Sequence, residues 1–238
     1  MDSPFSYFDF VREDAMRKRF LLCLIIIALC LPGAVAQDSG KAAPAAPAAN
    51  MTKLPAPDTS GGMSLDKAMA TRRSVRSFLP TALTQKQLSQ ILWAAQGETG
   101  PEGRRTSPSA GNQHYLRLYV ASADGFFEYV AKDHQLQKIS GQDVRSKLSP
   151  QPPFKQAPVV LLFAGDYERA AAKYGPEKGP RFVGIEAGHQ AQNVLLEVTA
   201  LGLSAVPVGG FEPKDVQKAA ALPAQYSPVY MIPIGHPK

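Results

Sequence analysis

The 238-residue chain is 45% hydrophobic and 19% charged, a globular balance that argues against a wholly disordered protein. Its formal charge of +6 suits an anionic ligand, but no basic cluster interleaved with aromatics stands outside the N-terminus, which argues against nucleic acid as a partner. The only cysteines, Cys23 and Cys30, lie in one apolar segment, and its removal would exclude disulfides, zinc–thiolate sites, iron–sulfur clusters and a thiol nucleophile.

That segment has the parts of a secretory signal. Met16-Arg17-Lys18-Arg19 is a positive start, Phe20 to Leu31 an uncharged apolar run, Pro32-Gly33 a break, and Ala34-Val35-Ala36 a small-x-small cleavage pattern. Residues 1–36 are therefore expected to be a signal peptide, cut before Gln37, with export to the periplasm. Met16 opens the better-formed leader, so a start there is one reading. The apolar run is shorter than the roughly 20 residues of a membrane span, and an uncleaved anchor is the alternative. Residues 37–62 are Ala/Pro-rich, which denies them helix and sheet hydrogen bonds and predicts a semi-extended linker.

The folded part is expected over residues 63–238. Ser64 to Met69 reads as a short helix. Thr84-Gln85-Lys86-Gln87 is a capping box, and Leu88, Ile91, Leu92 and Ala95 then repeat at helical spacing. Gly97 to Gly111 is a polar loop. Leu116, Leu118 and Val120 alternate with polar-tipped neighbours as in a half-buried strand, and Phe127–Val130 with His134–Ile139 forms a hairpin turning at Lys132-Asp133. Asp143–Leu148 is a short helix. Ala157 to Phe163 is a central strand, followed by a helix capped by Asp166. Phe182 to Leu201 is the longest helix, ended by Gly202 and thinned by Gly184, Ala187, Gly188 and Ala191. Strands over Ala205–Val208 and Val229–Ile234 flank a helix over Pro213–Ala221. The fold class is α+β, with a mainly antiparallel sheet packed with helices.

Three segments carry chemistry. Arg72, Arg73, Ser74 and Arg76 set forked cations and a hydroxyl where a phosphate monoester would want them, although a solvated basic turn has the same composition. Arg105, Thr106, Pro108, Ser109, Ala110 and Gly111 place donors on small residues, so that backbone can approach a planar ligand. Val208, Gly209 and Gly210 put a glycine pair at a strand end. GxSxG, HExxH, GxGxxG and GxxxxGK[ST] are all absent, and no histidine or cysteine is spaced for a metal, so none is expected.

In this order the segments resemble the nitroreductase-like FMN-dependent oxidoreductases over nearly all of Met63 to Pro237. PSAGN, APVVLLFAGDYERAAAKYG and GIEAGHQAQNVLLEVTALGLSAVPVGGF look like the SagB-type branch, which includes thiazoline and oxazoline dehydrogenases. The resemblance implies FMN at a homodimer interface and a small-molecule or peptide-heterocycle substrate. It assigns Arg72, Arg73, Ser74 and Arg76 to the phosphate and ribityl end. Pro108, Ser109, Ala110 and Gly111, with Arg105 beside them, fall to the flavin ring of the partner subunit, and Val208, Gly209 and Gly210 lie under the ring or beside the phosphate. Lys173-Tyr174 matches the pair associated with proton transfer; a solvated helix end is the alternative for Lys173. Basic phosphate ligands beyond the last strand are reduced here to Lys238. A binding protein without turnover, holding flavin or not, is the rival reading, and export would require an electron donor other than cytoplasmic pyridine nucleotide.

Overall fold

The computed structural model describes residues 50–238. The expected signal peptide, its expected cleavage site and most of the expected linker lie outside the described residues.

One eight-stranded antiparallel sheet organises the domain. Its strands are β1 (Met51–Lys53), β2 (Phe78–Leu79), β5 (Leu116–Ser122), β6 (Gly125–Val130), β7 (Gln135–Ser140), β8 (Val159–Asp166), β9 (Ser204–Ala205) and β10 (Tyr226–Pro237). They run in the order β1-β7-β6-β5-β8-β10-β2, with β9 against β10. A separate small ribbon joins β3 (Glu98–Gly100) to β4 (Arg104–Arg105).

The continuous apolar run of β8 is buried from Val159 through Gly165 because helices cover both faces. Leu161 and Phe163 point to one face, with Leu118 and Val120 of β5 and Ile232 and Ile234 of β10. On that side pack α2 (Gln85–Gln96), α5 (Tyr167–Tyr174) and the long α6 (Lys178–Ala200). Val160, Leu162, Tyr119 and Met231 point the other way, toward α3 (Arg145–Leu148), α4 (Pro152–Gln156) and α7 (Pro213–Ala219). The period-two alternation of the strands thus feeds two apolar layers. The short α1 (Leu65–Thr71) lies against α6.

Local signals act as their chemistry requires. The Thr84 hydroxyl accepts from the Gln87 backbone N–H while the Gln87 side chain takes the Thr84 N–H, closing the capping box of α2. The Asp166 carboxylate accepts from Arg169 N–H at the start of α5, and Gly202, at φ 69, ends α6 in the left-handed conformation. Gly179 lets α5 and α6 touch: a Cβ there would stand 2.5 Å from the backbone nitrogen of Ala171.

Four expectations need correction. The linker does not extend to residue 62: Met51–Lys53 pairs with Gln135–Gln137 of β7, and Leu54 is buried in the core. Isolated apolar residues between prolines gave no periodicity to read, but three extended residues suffice to complete a sheet edge. The long helix begins at Lys178, since Pro180 is tolerated in a first turn. The strand after it is limited to Ser204-Ala205, because Pro207 has no N–H to continue the ladder, and Val208 rejoins Met231 as a lone bridge. The thin stripe of α6 divides: Ala187 and Ala191 are buried, while Gly184 and Gly188 are exposed with open space around them.

Candidate functional site

The first and third sequence segments meet. After α1 the chain runs beside β9, where Ser74 forms a parallel bridge with Ala205 and the Val75 N–H donates to the Ala205 carbonyl. β2 then pairs with the end of β10, Phe78 opposite Pro237, so the terminal Lys238 follows alongside the same arginine-rich segment. Val208, Gly209 and Gly210 continue from that docking point, and a Cβ at Gly210 would meet nothing within 4 Å. Arg72 is half-buried and Arg76 exposed; neither bonds a described residue through its side chain. Arg73 differs, because its guanidinium donates to the carbonyls of Ala70 and Arg72 and closes the C-terminus of α1.

The second segment meets the Lys173-Tyr174 pair. Gly111 sits at φ 58, and a Cβ on it would lie 2.6 Å from the Tyr174 hydroxyl and 3.2 Å from Lys173 Nζ. Tyr174 is half-buried, edge-on to Phe182 at 4.8 Å, and Lys173 is exposed. Asn112 and His114 also have positive φ, 54 and 51, at about 1 kcal/mol or more each for a residue with a Cβ. Strain is therefore concentrated in this loop.

Glu186 holds this loop to α6. It is 1% exposed while His189 faces outward. Its carboxylate accepts from the Ser109 hydroxyl at 2.6 Å and from the backbone N–H groups of Tyr115 and Leu116. Ser109 in turn accepts the His114 N–H. A charged residue set among Val183, Ala187 and Gln190 on a buried helix face was the sequence signal for this role. Pro108 and Ala110 flank Ser109 on the same loop. Among the described residues no cluster of His, Cys, Asp or Glu could hold a metal ion.

These two assemblies stand at opposite ends of one strand. Ile234, which pairs with Ala205, also faces Val159 at the start of β8; Leu116, just after the loop, faces Gly165 at its end. The six steps of β8 between Val159 and Gly165 span roughly 20 Å. Arg105 is directed elsewhere: it donates to Gln96 at 2.9 Å and lines a polar cleft with His114, Arg117 and Arg169. A larger cavity, about 780 Å³, lies under residues 56–63 beside Trp93 and Glu197 and touches none of these candidate residues.

Comparison with known proteins is consistent with this layout. Residues 69–236 match the nitroreductase family. A Methanocaldococcus jannaschii protein named as a nitroreductase is 37% identical over 182 residues, 72% of this chain and 90% of that protein. The FMN reductase [NAD(P)H] of Bacillus subtilis is 27% identical over 184 residues, 72% of this chain and 65% of its own length. A crystal structure of a Ralstonia eutropha protein titled as a nitroreductase superposes with a TM-score of 0.73 at 29% identity, covering 79% of this chain and 90% of that one. The match spans both assemblies at the ends of β8, and the chain belongs to the nitroreductase family of oxidoreductases.

Proposed function

We propose that the protein is an FMN-dependent oxidoreductase acting as a homodimer, of the SagB-type dehydrogenase branch, exported to the periplasm. The observation that carries the reading is the docking of Arg72–Arg76 on Ala205, which unites two anion- and flavin-suited segments far apart in sequence. Arg72, Ser74 and Arg76 would hold the cofactor's phosphate and ribityl end, with Lys238 close by. Arg73 contributes mainly by fixing the helix end beside them. Gly209 and Gly210 leave backbone accessible to a planar ring.

Because Ser109–Gly111 lies a strand's length from Arg72–Arg76, a second copy of the chain supplies the loop over each cofactor. An exposed apolar surface suits that contact: Ile185 of α6, with Leu65 and Met69 of α1, are the large hydrophobics left in solvent near bare Gly184 and Gly188. When bound, the flavin supplies two-electron redox chemistry. Lys173 and Tyr174 hold a proton donor and a phenol over Gly111, within reach of a substrate lying on the ring. A heterocycle or other small molecule is the substrate class, and the residues at this loop leave nitro compounds and quinones as the competing class.

The test is to release the ligand of the purified protein by denaturation and identify it by chromatography. FMN is expected, and FAD or no flavin after reconstitution would refute the reading. Arg72→Ala should weaken FMN by roughly ten- to a hundredfold, as loss of a charged forked donor to phosphate costs about 1.5–3 kcal/mol.

A further inference from the structure

The sheet opens at one end into a cationic cleft that the flavin reading does not use. β5 and β6 pair as far as Tyr119 opposite Glu128, beyond which β6 continues on β7 alone to Val130 opposite Gln135. The splayed ends bound a cleft of about 290 Å³. Arg105, Arg117, Lys132 and Arg169 line it from four different elements, and no acidic side chain does. Two carboxylates partly neutralise the cleft, Glu128 pairing with Arg117 at 2.8 Å and Asp166 lying 3.7 Å from Arg169 Nε, while Glu186 holds the 109–116 backbone; Arg105 and Lys132 form no salt bridge among the described residues.

Three polar atoms of the lining residues have no partner among the described residues: Arg105 Nε, His114 Nδ1 and the hydroxyl of Tyr115, a residue 1% exposed. Buried polar groups left unsatisfied are rare in native proteins and mark strain, function or an absent ligand. Burial holds the Arg105 guanidinium and the His114 imidazole below their ordinary values, Arg105 adding its repulsion to His114, with Glu98 and Glu186 partly offsetting the shift at Arg105 and Glu186 that at His114.

We infer that this cleft is a binding site for a small oxyanion, a carboxylate or phosphate group of a ligand distinct from the cofactor, gripped by Arg105, Arg117, Lys132 and Arg169. Forked guanidiniums complement planar or tetrahedral oxyanions, and Arg105 Nε–H and the Tyr115 hydroxyl would donate to its oxygens, whereas His114, whose Nε2–H is held by the Gly103 carbonyl, would donate from Nδ1 only when protonated. Arg169 ties the cleft to the candidate reaction centre. It donates to the carbonyls of Gln113 and His114 and stands one helical turn before Lys173 on α5. An anion bound here would therefore touch the loop that carries Gly111.

The test is calorimetric titration of the purified full chain, separately with inorganic phosphate and with succinate, in low-chloride buffer. Saturable binding of one ion per chain is expected; phosphate alone would assign the site to a phosphate ester, succinate alone to a carboxylate. Lys132→Gln, on an exposed turn, and Arg117→Gln should each weaken it by about tenfold with flavin content unchanged, and Lys132→Gln should also leave the melting temperature unchanged, whereas Arg117→Gln lowers it slightly by freeing Glu128. Absence of saturable binding, or binding indifferent to both variants, overturns the inference. Loss of flavin in Lys132→Gln overturns it too, because the cleft would then hold the cofactor's own phosphate. Anion binding is readable with or without flavin, so failure of the FMN reading is seen separately.

Discussion

At the scale of single residues, sequence order concealed what geometry unites. Lys173 and Tyr174 stand against Gly111, on which a side chain would strike the Tyr174 hydroxyl. Neither residue belongs to the arginine segment at the far end of β8. Lys173→Ala and Tyr174→Phe are therefore expected to retain flavin and to slow turnover, read as flavin content and reoxidation rate for each variant. Flavin loss in Lys173→Ala as severe as in Arg72→Ala would make the lysine a ligand, and no change in either quantity would make it a solvated helix end. Residue types singled out the arginines, the glycine pair and the loop as candidates, although a solvated basic turn or a plain polar loop has the same composition. Arg73 was grouped with its neighbours because nothing in the string distinguishes a guanidinium that closes a helix from one that faces a ligand. Glu186 shows in the sequence only as a charge on an apolar helix face; its partners Ser109, Tyr115 and Leu116 are distant in the chain, and no local pattern names them.

Among elements, periodicity and end signals carried well: the capping box, the β6–β7 hairpin, the buried β8 and the glycine stop of α6 all appear where their chemistry predicts. What escaped was pairing between distant short segments, above all β1 on β7 and Ser74 on Ala205, whose hydrogen bonds leave no mark in composition. The α5–α6 contact is tight enough to test. Gly179→Val would drive Cβ into the backbone of Ala170 and Ala171, part the two helices and displace Lys173 and Tyr174. Expected are a melting point lowered by overpacking of about 1–3 kcal/mol and slower turnover; a variant with native melting and activity would show that α5 can slide freely.

The segment behind β1 makes a second case. Ser89 and the neutral His134 ring both bond the Pro55 carbonyl, and Tyr129 donates to His134 Nδ1 at 2.8 Å. Burial lowers the His134 pKa from its ordinary 6.5, partly offset by the Pro55 carbonyl. The unfolded chain then takes up the proton first. This contribution to stability is present above about pH 6.5 and is lost as the pH falls through the folded-state value. Melting temperature should drop between about pH 7.5 and about pH 5, and His134→Gln should flatten that slope, with His114, shifted the same way, supplying the remainder. An unchanged slope in His134→Gln would exclude the residue as its source.

For the whole molecule, fold class and family were legible because two apolar layers and three ligand-suited segments occur in one order, whereas assembly depends on surfaces that a string does not display. Ile185, 42% exposed on α6, is the residue to challenge. Ile185→Glu should give a monomer by light scattering and lose flavin, since each cofactor would lack the loop of a second chain; a flavin-loaded dimer would rule out this face as the contact. Among the described residues no helix is long and apolar enough to cross a membrane. The small β1 strand matters beyond its size. It caps the six-residue β7, whose outer backbone groups would otherwise be free to pair with any passing strand. A chain begun at Met63 would lose that cover together with the buried Leu54 and the Pro55 carbonyl. Proteolytic trimming that removes residues 51–54 would thus uncover the β7 edge and turn the sheet into a nucleus for edge-to-edge aggregation.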